Sequence, residues 1–187
     1  LSPRLAEPYR QRQGAKATLD QLRYQVNMLQ NDDTDDQYTA YRLFDVGIEL
    51  LGRLAQDPGM SVEGIALAED LYARALRWQD VEFEAYIARL WGWHLQNAGQ
   101  YSEALPLNKR AVDLCEAENL NQLLYATSLN DLGYLLQAMG NLAEARPYFE
   151  RALAISEKVL GPDHPATATS LNNLGGLLRA MGNLAEA

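Results

Sequence analysis

The chain has 187 residues, and 48% of them are hydrophobic, which is enough for the core of one or two domains. Its 16 Lys and Arg against 25 Asp and Glu give a formal net charge of −9, which argues against a nucleic-acid-binding surface. No apolar run approaches the ~20 residues that span a bilayer, so we expect no membrane partner, and the single cysteine fits a reducing, cytoplasmic location.

Residues 1–80 are predicted to form an N-terminal helical segment with a diverged or capping repeat. Residues 4–30 show no repeat signature, and the acidic run Asp32–Asp36 is predicted to start a helix, with Thr34 and Gln37 as a cap pair. Residues 38–56 then have the pattern of a diverged partner helix. We therefore place the boundary of the regular repeats near residue 80.

From residue 81 onward the sequence repeats itself. Residues 127–145 and 169–187 are spaced by 42 positions and are identical at 16 of 19 positions, and residues 86–126 contain a weaker copy. We predict that residues 81–187 form an array of about two and a half repeats, truncated at the C-terminus. Because the chain starts at Leu1 and stops inside a repeat, we expect it to be a fragment of a longer multidomain protein.

Each repeat is predicted to be a pair of amphipathic helices, because apolar residues recur at helical spacing along both halves. In the middle repeat these residues are Leu129, Leu132, Gly133 and Leu136, followed by Ala145, Phe149, Ala152 and Val159. We expect Gly133 to face Ala145 across the hairpin, where small residues let two backbones approach, and Phe149 to fill the space beside them. Such hairpins bury their apolar faces only by stacking.

Glycines mark the turns. Gly140 is predicted to close the first helix in the left-handed conformation, and Asn141 to cap the second with Glu144 in a capping box. The same prediction applies to Gly99, Gln100 and Glu103 and to Gly182, Asn183 and Glu186. Between repeats, Gly161 is predicted to end one helix, Asp163 to cap the next and Pro165 to occupy its first turn.

Catalytic and metal-binding patterns are not apparent. Cys115 is predicted to be a buried thiol, and His94 and His164 lack the spacing of zinc ligands. The run Asp32–Asp36 lacks the glycine and the final glutamate of a calcium loop, and Gly175-Gly176 is no phosphate loop. We therefore expect a chain that is not an enzyme and that needs no metal or cofactor.

At Leu132-Gly133, Ala145, Phe149 and Ala152 the sequence resembles a tetratricopeptide repeat. The 42-residue period and residues 160–175 resemble the longer repeats of kinesin light chains, which also occur in prokaryotic multidomain signalling proteins. The resemblance implies an all-α, right-handed superhelical solenoid of antiparallel helix pairs. It also implies a scaffold that binds a peptide or protein segment, or another domain of the parent chain, on its concave face. The alternative is a regulatory or sensor arm of a signalling ATPase or of a caspase-like protease.

By the same resemblance, the first helix of each pair lines the concave groove. Asn side chains there can both donate to and accept from a peptide backbone, aromatic rings offer stiff contact area, and Arg can pair with a carboxylate. The predicted partner-binding residues are Arg89, Trp93, Gln96, Asn130, Tyr134, Gln137, Asn172 and Arg179.

Two alternatives stay open at this point. Asn130 and Asn172 either recognise a peptide backbone or form hydrogen bonds between helices, and Trp93 and Tyr134 either meet a partner or pack within the fold. Trp91 occupies a core position. The uncovered face of the last repeat also predicts self-association of the chain.

Overall fold

Helices alone make up the part of the chain that the computed structural model describes, residues 19–31 and 37–182. Short connections join the consecutive helices from α2 to α8, and no strand occurs within the described ranges, which confirms the predicted all-α class. The helices are α1 (Leu19–Gln30), α2 (Gln37–Leu54), α3 (Ser61–Trp78), α4 (Val81–Asn97), α5 (Tyr101–Ala117), α6 (Gln122–Ala138), α7 (Leu142–Leu160) and α8 (Pro165–Ala180).

The packing order is that of a solenoid. Every helix packs against the next one in the chain, and the even-numbered helices also contact each other, α2 with α4, α4 with α6, and α6 with α8. We call the surface formed by these four helices the even-helix face. Since α3 packs on α4, the stacking continues through residue 80.

The N-terminal helices join this stack by polar contacts as well as apolar ones. A short 3-10 helix, Pro58–Met60, connects α2 to α3. The Arg23 guanidinium of α1 donates to both carboxylate oxygens of Glu63 in α3, at 2.6 Å each. The Gln30 amide donates to Asp70 at 2.8 Å, so polar contacts fix α1 to α3 at two positions along its length.

The predicted core positions of the middle repeat are buried, with one exception. Leu129, Leu132, Leu136, Ala145, Phe149 and Ala152 are all at most 1% exposed. Val159 was predicted to belong to this row, but it is 46% exposed, and Ser156 is buried one turn earlier. The reason is length, because α7 has 19 residues against 17 in α6, and its last turn extends past its partner.

Gly133 lies against the ring of Phe149, which was predicted to fill the space beside it, and the three atoms nearest to a Cβ built there belong to Phe149 rather than to Ala145. A Cβ atom at this position would lie 2.9 Å from Cε1 of Phe149, closer than such atoms pack. In the preceding repeat, Gly92 meets Asn108 in the same way, and Asn108 stands 41 positions before Phe149. The amide of Asn108 is buried, and its Oδ1 and Nδ2 have no hydrogen-bond partner among the described residues.

The predicted capping box between α6 and α7 is wrong. Gly140 does adopt a left-handed φ of 83°, but the Asn141 side chain makes no cap hydrogen bond. The Asn141 backbone N–H donates instead to the Leu136 carbonyl at 2.9 Å, so no N–H remains for Glu144 to accept. At the α4–α5 turn, Gln100 N–H likewise donates to Leu95, and Gln100 makes no side-chain cap.

The predicted cap of α8 is displaced by one residue. Gly161 ends α7 with a φ of 86°, and Pro165 is the first residue of α8, as expected. The N-cap is His164 rather than Asp163, and its Nδ1 accepts from the Ala166 N–H at 3.1 Å. Because proline begins the helix, the residue directly before it must be the cap.

Cys115 and His94 are both core residues. Cys115 is buried, as predicted, and burial raises the pKa of its thiol. The His94 ring is fully buried, packs on Gly64, and bonds through Nε2 to the Leu51 carbonyl at 3.1 Å. Burial lowers the pKa of His94, so the neutral ring is favoured.

Some predictions fall on residues outside the described ranges. They are the caps at Thr34 and at Asn183 with Glu186, and the acidic run Asp32–Asp36. Within the described ranges, none of the helices combines the length and apolarity that crossing a bilayer requires.

Candidate partner-binding cleft

A cleft of about 370 Å³ opens between α6 and α8 on the even-helix face. One residue of α4 and one of α7 complete its walls. The lining residues are Trp93, Leu123, Ala126, Thr127, Asn130, Asp131, Tyr134, Ser156, Ala166, Thr169, Ser170 and Asn173. Its volume falls in the range of sites that take small molecules or a few residues of a peptide.

An aromatic pair forms one end of the cleft. The ring centroids of Trp93 in α4 and Tyr134 in α6 are 6.1 Å apart, and the ring planes are tilted by 41°. Tyr134 is 48% exposed, a high value for an aromatic side chain in a folded chain. Trp93 and Tyr134 therefore pack against each other and also line the cleft, and their contact with a partner stays a prediction.

Asn130 links the two walls. Its Nδ2 donates to Ser170 Oγ of α8 at 2.8 Å, and its Oδ1 lies 3.5 Å from Asn173 Nδ2. Ser170 in turn donates to the Ala166 carbonyl at 3.3 Å. Asn130 thus makes the hydrogen bond between helices that was one of its two interpretations, and it lines the cleft as well. One amide hydrogen remains for a ligand.

Arg89 already has a carboxylate partner inside the chain. Its guanidinium donates to Asp131 Oδ2 at 2.9 Å, and the two side chains are only 17% and 14% exposed. Burial raises the pKa of Asp131, against the opposing effect of the Arg89 charge. The carboxylate that Arg89 pairs with therefore belongs to α6 of the same chain, and Arg89 is not among the residues that line the cleft.

The other predicted residues lie elsewhere. Gln96 is 6% exposed and belongs to the interior. Gln137 is half-buried, and Asn172 and Arg179 are exposed, but none of these three lines the cleft. Of the eight predicted residues, the structure brings together Trp93, Asn130 and Tyr134.

The site is completed by residues of α8, of which Ala166, Ser170 and Asn173 were not indicated by the sequence pattern. The prediction carried the register of Asn130 over to Asn172, whereas the lining residue of α8 is its neighbour Asn173, which corresponds to Asp131 of α6. From α6 the cleft takes Thr127, Asn130 and Tyr134, and from α8 it takes Ala166, Thr169 and Asn173. The sequence did not indicate which side of α8 faces α6.

A metal site does not emerge in the parts of the chain that the structure describes. No group of three His, Cys, Asp or Glu side chains lies close enough there to hold an ion. The cleft is lined by aromatic and aliphatic side chains, by hydroxyls and amides, and by the Asp131 carboxylate.

Comparison with known proteins gives a consistent result. Residues 124–187 match the family model of the tetratricopeptide repeat. The structure of BtubC (BKLC) from P. vanneervenii is similar with a TM-score of 0.68 and 18% identity over 92% of this chain and 70% of that chain. None of the curated proteins matches this chain.

Two structures of a candidate kinesin light chain from Podosopora anserina, which has nearly identical TPR-like repeats, are also similar. Their TM-scores are 0.70 and 0.68, with 22% and 23% identity, over 98% of this chain and 86% of theirs. At these identities the similarity establishes a solenoid of this kind for the fold and says nothing about partners.

Proposed function

We propose that this chain, a tetratricopeptide-repeat protein whose residues 124–187 match that family, binds a segment of another polypeptide in the cleft between α6 and α8. Tetratricopeptide repeats generally mediate protein–protein interaction. The observation that supports the proposal for this particular surface is the contact between the half-buried Trp93 and the exposed Tyr134, beside the partly satisfied amides of Asn130 and Asn173.

The chemistry of the cleft favours binding over catalysis. Aromatic rings provide contact area at little cost in side-chain entropy, and they are enriched at protein interfaces. Amides offer donors and acceptors of the kind that a peptide backbone needs. We therefore propose a non-catalytic, scaffold-like role.

A binding selection tests this proposal directly. A library of random dodecapeptides displayed on phage is panned against the purified chain, and enriched peptides are titrated by fluorescence anisotropy. We expect to find peptides that bind the unsubstituted chain and that bind at least about tenfold more weakly when Thr169→Trp fills the cleft. Thr169 is exposed at the cleft wall, so the new ring fits without disturbing the core.

The matched control introduces the same ring on another helix. Glu150 in α7 is exposed and does not line the cleft, so Glu150→Trp should bind within about twofold of the parent. If no peptide is enriched, or if both variants bind equally well, the cleft is not the partner site.

Self-association stays a prediction. Leu171 in α8 is 58% exposed, whereas Leu129, its counterpart 42 positions earlier, is fully buried. An exposed leucine at a position that is otherwise core favours contact with a second apolar surface. Light scattering over a concentration series measures it, and a constant mass would contradict it.

A further inference from the structure

We infer that the cleft takes an extended, electrically neutral segment of about five residues with a bulky apolar or aromatic side chain at one end. This inference rests on the proposed function and specifies the chemistry of its ligand. Three features of the cleft carry it, namely its charge, its length and the hydrogen-bonding capacity left on its polar side chains.

The charge of the cleft is neutralised from within. Asp131 is the one charged side chain among the lining residues, and its carboxylate is 2.9 Å from the Arg89 guanidinium. An acidic ligand would meet Asp131, and a basic ligand would compete with Arg89 for the same carboxylate. Neither an acidic nor a basic ligand finds an unpaired opposite charge in the cleft. The cleft therefore favours a ligand that is uncharged where it meets Asp131.

The length of the cleft fits a short extended segment. Leu123 and Tyr134 mark its two ends on α6, eleven positions apart, which corresponds to about 16 Å along a helix axis. An extended chain covers this distance in about five residues. Leu123 is 45% exposed, so both ends offer apolar surface to side chains of the ligand.

The middle of the cleft offers acceptors in a fixed arrangement. The Thr127 hydroxyl donates to the Leu123 carbonyl at 2.7 Å, and the Thr169 hydroxyl donates to the Pro165 carbonyl at 3.1 Å. A hydroxyl has one hydrogen, so both threonines can only accept from a ligand. Backbone N–H groups of an extended segment are neutral donors that fit these acceptors, while the free N–H of Asn130 can donate to a backbone carbonyl.

The tightest cleft-dependent peptide from the selection provides the test. Its affinity is measured at about 50 mM and about 500 mM NaCl, where an exposed charge–charge contribution is largely screened. We expect less than a twofold change. A change of about tenfold, or enriched peptides with a shared acidic or basic position, would overturn the inference and leave the proposed binding function intact.

Paired substitutions test the contacts. Thr169→Ser keeps the acceptor and Thr169→Val removes it with little change in shape, so we expect Val to bind about three- to tenfold more weakly than Ser. Tyr134→Phe should bind within about twofold of the parent, and Tyr134→Ala at least about tenfold more weakly. Equal affinities within either pair would overturn the inferred mode of recognition, because both positions are exposed and their variants should fold.

Discussion

Adding one methyl group at Gly133, by the substitution Gly133→Ala, tests how closely α6 and α7 approach each other. At Gly133 a Cβ atom would lie 2.9, 3.0 and 3.1 Å from three carbons of the Phe149 ring. Ordinary contact begins near 3.4 Å, and Phe149 is fully buried, so the ring has little room to withdraw. We expect Gly133→Ala to cost about 1–3 kcal/mol in overpacking.

The higher helix propensity of alanine opposes this cost, so a control variant must measure the propensity contribution separately. Alanine in place of glycine inside a helix gains about 1 kcal/mol, which leaves a net loss between zero and about 2 kcal/mol at Gly133. Gly176 lies within α8, and a Cβ atom built there would have no described atom within 4 Å outside its chain neighbours and the backbone of its own helix. Gly176→Ala should therefore show the propensity gain alone, and the difference between the two variants is the packing cost of about 1–3 kcal/mol.

Urea unfolding followed by far-UV circular dichroism gives both free energies of unfolding. A third protein, with Gly133→Ala and Phe149→Leu together, should lose less than the sum of the single changes, since the smaller side chain relieves the contact. If Gly133→Ala is as stable as Gly176→Ala, the two helices do not approach as closely as the structure shows.

Three further changes address the polar interior. Lowering the pH through 6.5 should reduce the free energy of unfolding by up to about 1.4 kcal/mol per pH unit. The reason is that the pKa of His94 is lowered in the folded chain, so the unfolded chain takes up the proton first as the pH falls. In urea titrations, His94→Gln should make the free energy of unfolding depend less on pH. Asn108→Leu should stabilise the chain by about 1–3 kcal/mol in the same assay, and destabilisation would mean that its amide has a partner. Asp131→Ala should cost about 1–3 kcal/mol by leaving Arg89 unpaired, whereas Arg89→Asn with Asp131→Asn should cost less in a double-mutant cycle.

Periodicity was sufficient to predict the helix pair of the middle repeat. The recurrence of Leu129, Leu132 and Leu136 at helical spacing, repeated 42 positions later, indicates an amphipathic helix that must stack on others. Gly133 and Phe149 could be paired for the same reason, because a residue without a side chain in one helix requires a filling side chain in its partner. These features depend on the local sequence and on its repetition, both of which are visible without coordinates.

Hydrogen-bond competition was not visible in the sequence. Asn141 and Glu144 have the residue types of a capping box, but the Asn141 N–H is taken by the end of the previous helix. The same limit applies to Arg89, whose partner Asp131 lies 42 positions away on a neighbouring helix. A residue type indicates what it can bind, and only the packing decides which of several partners is nearest.

The charge of the cleft depends on one pair of positions rather than on the fold. Arg89 aligns with Asn130 and Asp131 with Asn173 in successive repeats, so an ion pair at the α4–α6 junction corresponds to an amide pair at the α6–α8 junction. Both pairs bridge the same two positions of neighbouring first helices. The same backbone arrangement can therefore be bridged by an ion pair or by a pair of amides, provided that both residues of the pair change together. Because Asn130, Asp131 and Asn173 of these two junctions also line the cleft, we expect a change in either pair to alter which ligand the surface accepts without altering the solenoid.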